Sequence, residues 1–452
     1  MYEHSRRSLT IASLATLATF LDTTILYVAF PDITATFSDA SAARLSWVLN
    51  AYTIVFGALL IPAGKIADRV GHRRVFLIGS AVFTLASMAC GLAPTVDVLI
   101  AFRVLQAAGA AALIPASLAL VMHAFAHDQL PKAVAVWGAA GAAAGALGPT
   151  LGAALVDGFG WRSAFFLNLP VGIYTIVDGV KHLRESSSPN TRIPSFIGIA
   201  LVAAAAALLS YGLIDESAST FAVGAVVLAL FVVHQSRTNA PALDLDLFRL
   251  RNFSWGNLTM IIFGTAFSAM FFSSILFLTQ VWEWSTLKAG LGVAPGPAIV
   301  ALVAPRMGNL AGRIGQRPIL VVGGVIYAGA GLWRLTMLGP EPNFFVDYFP
   351  SMVLSGLGVA CVFPQLSSLV AQALPAGRSG VGGAALQAGR QFGGTFGVAL
   401  TIALLGAGGA VTFDRFDRIW WVIVIGGLAT SLLVLPTHPI ARPEAVVQPV
   451  EA

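Results

Sequence analysis

Long apolar runs separated by short polar connections make up most of the chain. A helix crossing a bilayer needs roughly 20 apolar residues. On that measure the pattern predicts fourteen spans, at 8–30, 45–64, 75–93, 98–122, 132–156, 162–181, 194–214, 220–235, 253–281, 289–305, 318–338, 347–372, 380–405 and 417–435. The segment 194–235 reads either as two spans or as one re-entrant hairpin; the polar tip Asp215-Glu216-Ser217 favours two. An even number of spans puts both termini on one side, and positive charge decides which side. With the termini inside, Arg44, Arg162, Lys288, Arg334, Arg415 and Arg418 are the cations of the outer connections. Arg103 and Arg390 lie within spans, and the remaining Lys and Arg fall in inner connections and tails. That bias predicts an N-in, C-in topology. The apolar run after Arg6-Arg7 reads as an uncleaved first span: it is too long for a signal peptide, carries Asp22 and lacks a small-x-small cleavage site.

One connection stands out. Gly64-Lys65-Ile66-Ala67-Asp68-Arg69-Val70-Gly71-His72-Arg73-Arg74 is a charged, glycine-punctuated turn between apolar runs. Its outer Gly, Ala, Arg, second Gly and later Arg recur in register at Gly308, Ala311, Arg313, Gly315 and Arg317. A repeat at this distance predicts two related halves. The first turn joins spans 2 and 3 and the second joins spans 10 and 11, so two extra spans lie between two sets of six. The expected organisation is an all-α membrane protein with a six-helix bundle at 1–185, two inserted helices at 186–240 and a second six-helix bundle at 241–436. A proline-rich tail at 437–452 is expected to be disordered.

Composition agrees with a membrane protein and removes other classes. The chain is 57% hydrophobic and 10% charged, against about 25% charged residues in soluble proteins. Its net charge of +5 is spread over connections rather than gathered on one face, so nucleic acid is not the expected partner. Cys90 and Cys361 lie within apolar runs and read as packing residues. The seven histidines fall in tails or inner connections, and neither H-E-x-x-H nor G-x-S-x-G occurs, which argues against a polytopic enzyme and against a metal site. No P-loop supports ATP drive.

Chemistry is therefore sought among polar residues inside spans. Asp22 lies eight residues from the outer end of span 1, about 12 Å deep at helical rise. An ionised carboxyl there must pair, face water or take up a proton. It reads either as a proton-coupling or substrate group or as a structural acid. Arg103, about 8 Å from the outer end of span 4, reads either as the partner that holds that acid ionised or as a pin to a backbone carbonyl. Arg390 is a second buried cation without an acid in its own span. It is a candidate for contact with substrate, a carbonyl or Asp22, with structural pinning equally open. Phe263, Phe267 and Phe271 recur at i, i+4 and i+8, as core packing or as the wall of a substrate cavity. Gly141, Gly145, Gly148 and Gly152 lie on one face of span 5, next to Pro149, and permit close helix approach.

Several of these stretches resemble the major facilitator superfamily and its fourteen-span drug:proton antiporter branch. The turn Gly64-x-x-Ala67-Asp68-Arg69-x-Gly71-x-Arg73-Arg74 resembles the signature loop of that family. Leu21-Asp22-Thr23-Thr24-Ile25-Leu26-Tyr27-Val28-Ala29-Phe30-Pro31 resembles the first-span motif, and Arg103-Val104-Leu105-Gln106-x-x-Gly109 the fourth-span motif. Gly141-x-x-x-Gly145-Ala146-Leu147-Gly148-Pro149-x-x-Gly152 resembles the antiporter motif. Trp161-Arg162-x-x-Phe165-Phe166-x-Asn168-x-Pro170-x-Gly172 and Arg390-Gln391-x-Gly393-Gly394-x-x-Gly397 match the same branch.

The resemblance implies a monomeric, multi-pass cell-membrane exporter of amphipathic small molecules. It would work by alternating access and be driven by a proton gradient without a cofactor, with Asp22 and Arg103 in proton transfer. A lipid or metabolite exporter on the same fold is the alternative. Tyr27 replaces the Asn usual in the first-span motif, which bears on a polar contact near the substrate or proton site. Asp68 has no counterpart in the second turn, where Gly312 stands. The turn Gly64, Asp68, Arg69, Gly71, Arg73 and Arg74 thus reads as a one-sided cytoplasmic latch, with Asp68 engaging the helix N-terminus near Ser379-Gly380.

Overall fold

The structure, a computed structural model, describes residues 2–126, 129–187, 193–215, 217–374, 379–406 and 412–437, and no strand occurs among them. Glu216 of the polar tip and the tail from 438 onward lie outside the described residues. Every predicted span falls on helix: α1 (Tyr2–Thr36), α2 (Ala42–Val70), α3 (His72–Gly91), α4 (Val96–Ala124), α5 (Leu130–Phe159), the short α6 (Ser163–Phe166) running into α7 (Asn168–His182), α8 (Phe196–Ile214), α9 (Ala218–Arg237), α10 (Arg251–Gln280), α11 (Thr286–Val293) running into α12 (Pro295–Ile314), α13 (Gln316–Met337), α14 (Phe349–Ala373), α15 (Ser379–Leu405) and α16 (Phe413–Leu433). Among the described residues, twelve helical stretches are long and apolar enough to cross a membrane. Within α5, the segments Val136–Gly145 and Leu147–Phe159 are inclined by 46°. Pro149 explains the site of that bend, because its ring crowds the carbonyl four residues earlier, at Gly145.

Local sequence sets the helix ends. Ser41, Thr95, Ser217 and Ser285 accept hydrogen bonds from backbone N–H groups three residues on and so cap α2, α4, α9 and α11. The repeated charged turn has a backbone reason. Gly71 and Gly315 both take positive φ, 122° and 86°, where a side chain would be strained.

Packing repeats along the chain. α1 lies on α5, α2 on α4, and α3 on α4 and α7. α10 lies on α15, α12 on α14, and α13 on α14 and α16. α8 and α9 pair with each other, and α8 rests on both α2 and α15. The two sets meet where α2 faces α15, α5 faces α11 and α1 faces α10.

Contact between the sets is tight toward the α1–α2 connection. A Cβ on Gly290 of α11 would overlap Ala153 and lie 2.7 Å from the Pro149 carbonyl oxygen. Thr286 donates to Asp32 at 3.5 Å, the Thr53 and Thr395 hydroxyls are 2.6 Å apart, and Tyr27 and Ser268 are 3.2 Å apart. Toward the Gly71 end, a Cβ on Gly308, Gly312 or Gly383 would meet nothing within 4 Å among the described residues.

Arg334 corrects the charge reading. Expected in an outer connection, it lies in the last turn of α13 and is 1% exposed. Its guanidinium donates to Ser351 Oγ at 3.1 Å and Ser274 Oγ at 3.0 Å and stacks over Trp420 at 4.7 Å. Hydroxyls and an aromatic face stabilise the cation where it leaves water.

Candidate functional site

Asp22 is 2% exposed, on the face of α1 turned into the first helix set. Arg103 of α4 donates from Nη1 to its Oδ2 at 2.5 Å. Gln106, one turn further along α4, donates to Oδ1 at 2.7 Å, and Asn168 at the start of α7 donates to the same oxygen at 3.0 Å. Arg103 is 1% exposed; its Nε donates to the Val48 carbonyl at 3.0 Å and its guanidinium lies 4.0 Å from the Tyr52 ring centroid. The chain of contacts continues from Asn168 to Ser87 Oγ at 3.0 Å and from Ser87 to the Phe165 carbonyl at 2.8 Å. The two readings of Arg103 are thus both realised: it is an ion partner and a backbone pin. Burial of the Asp22, Arg103, Gln106, Asn168 and Ser87 side chains is tolerable because each is paired. Gln106 and Asn168 are quoted in the motifs above without a role. Their signal in the sequence is an amide inside an otherwise apolar span.

Such a cluster can hold one proton equivalent. With Asp22 ionised, the guanidinium neutralises it. With Asp22 protonated, Arg103 keeps its bonds to Val48 and to Gln106 Oε1 (2.7 Å), so the ion pair can open without stripping the cation of all partners.

A cavity of about 250 Å³ lies in the second helix set, between α10, α14 and α15. Met260, Phe363, Val370 and Leu386 form its apolar wall, and Ser367, Gln387 and Arg390 its polar one. Of the residues expected to contact substrate, Arg390 lines this cavity. Tyr27, Phe263, Phe267 and Phe271 are not among its lining residues. Phe263 is fully buried, 4.8 Å from the Tyr327 ring and 5.0 Å from that of Phe363. Phe271 is buried beside Tyr27, with centroids 5.7 Å apart. The i, i+4, i+8 stripe therefore packs the core and the seam between the two sets. Phe363, on a helix the stripe does not belong to, supplies the aromatic wall. Arg390 does not reach Asp22; its guanidinium lies 4.6 Å from the Phe363 centroid and 5.9 Å from that of Phe20.

The glycines of α5 do what close approach requires, with one exception. A Cβ on Gly148 would overlap Thr24, one on Gly152 would lie 2.9 Å from Ile25, and one on Gly141 would lie 3.2 Å from Phe20. Gly145 is not on that packed face: its Cβ would meet nothing within 4 Å among the described residues. The bend next to it turns this position away from α1. Pro149 is buried, with its carbonyl against Gly290. In the second set Gly393 is packed in the same way against the Ile261 carbonyl of α10, at 2.5 Å.

In the charged turn, Asp68 bonds to His72 Nε2 at 2.9 Å. His72 Nδ1 lies 3.0 Å from Ser186 Oγ. Glu185 accepts the backbone N–H groups of Arg73 (3.0 Å) and Arg74 (3.2 Å) and packs against Gly71, capping α3. The Arg73 side chain donates to the Val180 carbonyl at 2.8 Å, Arg69 is exposed, and Gly64 lies against Pro115. The described partners of the turn are thus the end of α7 and the residues just after it, with Pro115 of α4 and the Pro241 carbonyl, which accepts from Lys65 at 2.7 Å. The expected partner of Asp68, the helix N-terminus near Ser379-Gly380, adjoins 375–378, which lie outside the described residues.

A helical multi-pass membrane protein with repeated six-helix packing, a buried acid–arginine pair and a cavity between helices is built as a carrier. The chain belongs to the Major Facilitator Superfamily, whose profile matches residues 12–398. That membership makes it a transporter and not an enzyme. It is 35% identical over 412 residues to the multidrug resistance protein Stp of Mycobacterium tuberculosis, covering 87% of this chain and 75% of that one. It is 32% identical over 397 residues to the tetracenomycin C resistance and export protein of Streptomyces glaucescens, covering 85% and 73%. Among solved structures it resembles a D-xylose–proton symporter (TM-score 0.69, 14% identity, 94% and 96% covered) and an autoinhibited peptide transporter of the POT family (TM-score 0.71, 16% identity, 97% and 98% covered), a likeness of fold.

Proposed function

We propose that the chain is a proton-coupled exporter of amphipathic small molecules, working by alternating access in the cell membrane. The observation that carries the reading is the buried Asp22–Arg103 pair: a carboxylate that can leave its partner only by taking a proton is a coupling device inside a helix bundle. The export and resistance functions named for its relatives support the direction. In this reading fourteen spans, with α5 and α15 among them, place both termini in the cytoplasm. Residues 1–185 and 241–436 are the two moving bundles, and 186–240 is the inserted pair. The contacts of Gly290, Thr286 and Tyr27 then close the outer end, and substrate enters from the cytoplasm or inner leaflet. Protonation of Asp22 from outside releases Arg103 and resets the carrier inward. Asp68 latches the inner end in the opposite, outward-facing state.

The test is a panel efflux assay in a pump-deficient host, with and without a protonophore. Protonophore-sensitive efflux of panel compounds is expected. Efflux that persists undiminished with the protonophore would overturn proton coupling. A metabolite carrier is the second reading, favoured by 29% identity over 374 residues to the riboflavin transporter RibZ of Clostridioides difficile. The same panel, extended to flavins and lipids, separates the two.

A further inference from the structure

The cavity between α10, α14 and α15 has a sign. Arg390 is permanently charged, because a guanidinium does not deprotonate in a protein. It makes no hydrogen bond or ion pair among the described residues; its guanidinium lies over the faces of Phe363 and Phe20, at 4.6 and 5.9 Å. Gln387 lies one turn earlier on the same helix face and lines the same cavity, and its amide Nε2 is buried without an acceptor. Two donor groups therefore line one space, together with the hydroxyl of Ser367 and apolar walls that include Met260, Phe363, Val370 and Leu386. None of the described lining residues is acidic. Asp22, the acid within span 1, has both oxygens taken by Arg103, Gln106 and Asn168 in the other helix set.

From this we infer that the cavity is a binding site for amphipathic organic anions: an aromatic or aliphatic body carrying a carboxylate, sulfonate or ionised phenol. The inference rests on the exporter reading for its role and deepens it by naming the charge of the substrate. The physics is one of replacement. A ligand that fills the cavity displaces solvent from Arg390, and buried donors without acceptors, as Gln387 Nε2 already is, destabilise the complex. An anion supplies an acceptor to both donors, with the charge-assisted bond to the guanidinium the stronger of the two. Its body lies on Phe363, which already faces the guanidinium. A cation of the same size meets like charge and leaves both donors empty, so the site discriminates by repulsion as well as by attraction.

The test is equilibrium binding to the full chain in lipid nanodiscs, read by fluorescence anisotropy, with fluorescein as the anion and rhodamine 6G as the cation. The wild type should bind the anion at least tenfold more tightly. Arg390→Gln should weaken fluorescein at least tenfold and leave rhodamine 6G unchanged or tighter, whereas Arg390→Lys should keep most of the preference. Gln387→Glu sets a carboxylate beside the guanidinium, neutralises the site from within and should abolish the preference; it carries the test if Arg390→Gln does not fold. A wild type that fails to bind fluorescein, or binds the cation as tightly, overturns the inference. So does Gln387→Glu with unaltered affinity for both probes. Binding is measured without a proton gradient. Intact anion preference in a protein that supports no protonophore-sensitive efflux would therefore overturn the exporter reading alone.

Discussion

Asp22 and Arg103 meet at 2.5 Å with both side chains 1% exposed, and neither faces the cavity. In the proposed exporter, coupling therefore runs through the bundle rather than through direct contact between acid and substrate. Asp22→Asn removes the titrating group but keeps an acceptor for Gln106 and Asn168. Protonophore-sensitive efflux should fall below about a tenth of wild type at equal membrane abundance, with compound binding retained. Undiminished efflux in that variant would remove Asp22 from the coupling mechanism.

The same pair yields a stability prediction. Removing one partner of a buried ion pair strands the other charge, at a cost of about 3–5 kcal/mol. Arg103→Gln should lower the unfolding temperature of the purified protein more than the double variant Asp22→Asn/Arg103→Gln does. Thermal unfolding of both decides it. Equal losses would mean that Arg103 acts mainly through the Val48 carbonyl and the Tyr52 ring.

The glycines of α5 divide into two kinds. Overpacking a helix contact costs typically about 1–3 kcal/mol. Gly148→Val and Gly152→Val should each destabilise the protein on that scale and reduce efflux, because their side chains meet Thr24 and Ile25 of α1. Gly145→Ala, facing open space, should be tolerated within about 0.5 kcal/mol. The same thermal measurement checks all three.

Much of this was legible in the sequence, and the reasons for the remainder are physical. Apolar run length placed the helices because a bilayer fixes how long a span must be. Asp22 and Arg103 stood out because isolated charges in apolar runs are rare. Their amide partners were not legible as partners, since Gln106 and Asn168 come from different helices and only packing brings them to one carboxylate. Arg334 looked like a connection residue because it lies in the last turn before one, and side-chain direction decides burial there. Phe263, Phe267 and Phe271 share a face, but whether that face meets a cavity or a neighbouring helix is a property of the second helix. Periodicity says nothing about it.

Gly290 offers a way to move the carrier between states. No side chain fits between α11 and α5 while Ala153 and the Pro149 carbonyl hold their present positions. Gly290→Val should force that end apart and favour the state in which it is open. Single cysteines on the cavity wall, such as Ser367→Cys, should then label at least fivefold more slowly from the side that reaches the cavity here. Unchanged labelling in a folded Gly290→Val protein would mean that this contact does not gate the molecule.

Asp68 should act in the opposite sense. Here it bonds to His72, at the end where a Cβ on Gly383 of α15 would meet nothing within 4 Å among the described residues; in the proposed cycle a contact with the start of α15 belongs to the other state. A carboxylate at a helix N-terminus contributes about 0.3–1 kcal/mol. Its loss in Asp68→Asn should therefore shift the balance about two- to fivefold toward the state described here, and Ser367→Cys should label faster by the same factor. His72→Gln separates the two partners of Asp68, because it weakens the local bond without touching the carboxylate. If the latch is real, His72→Gln should leave labelling unchanged or slow it. Faster labelling in both variants would instead make the His72 bond the element that matters, and unchanged labelling in Asp68→Asn would end the latch reading.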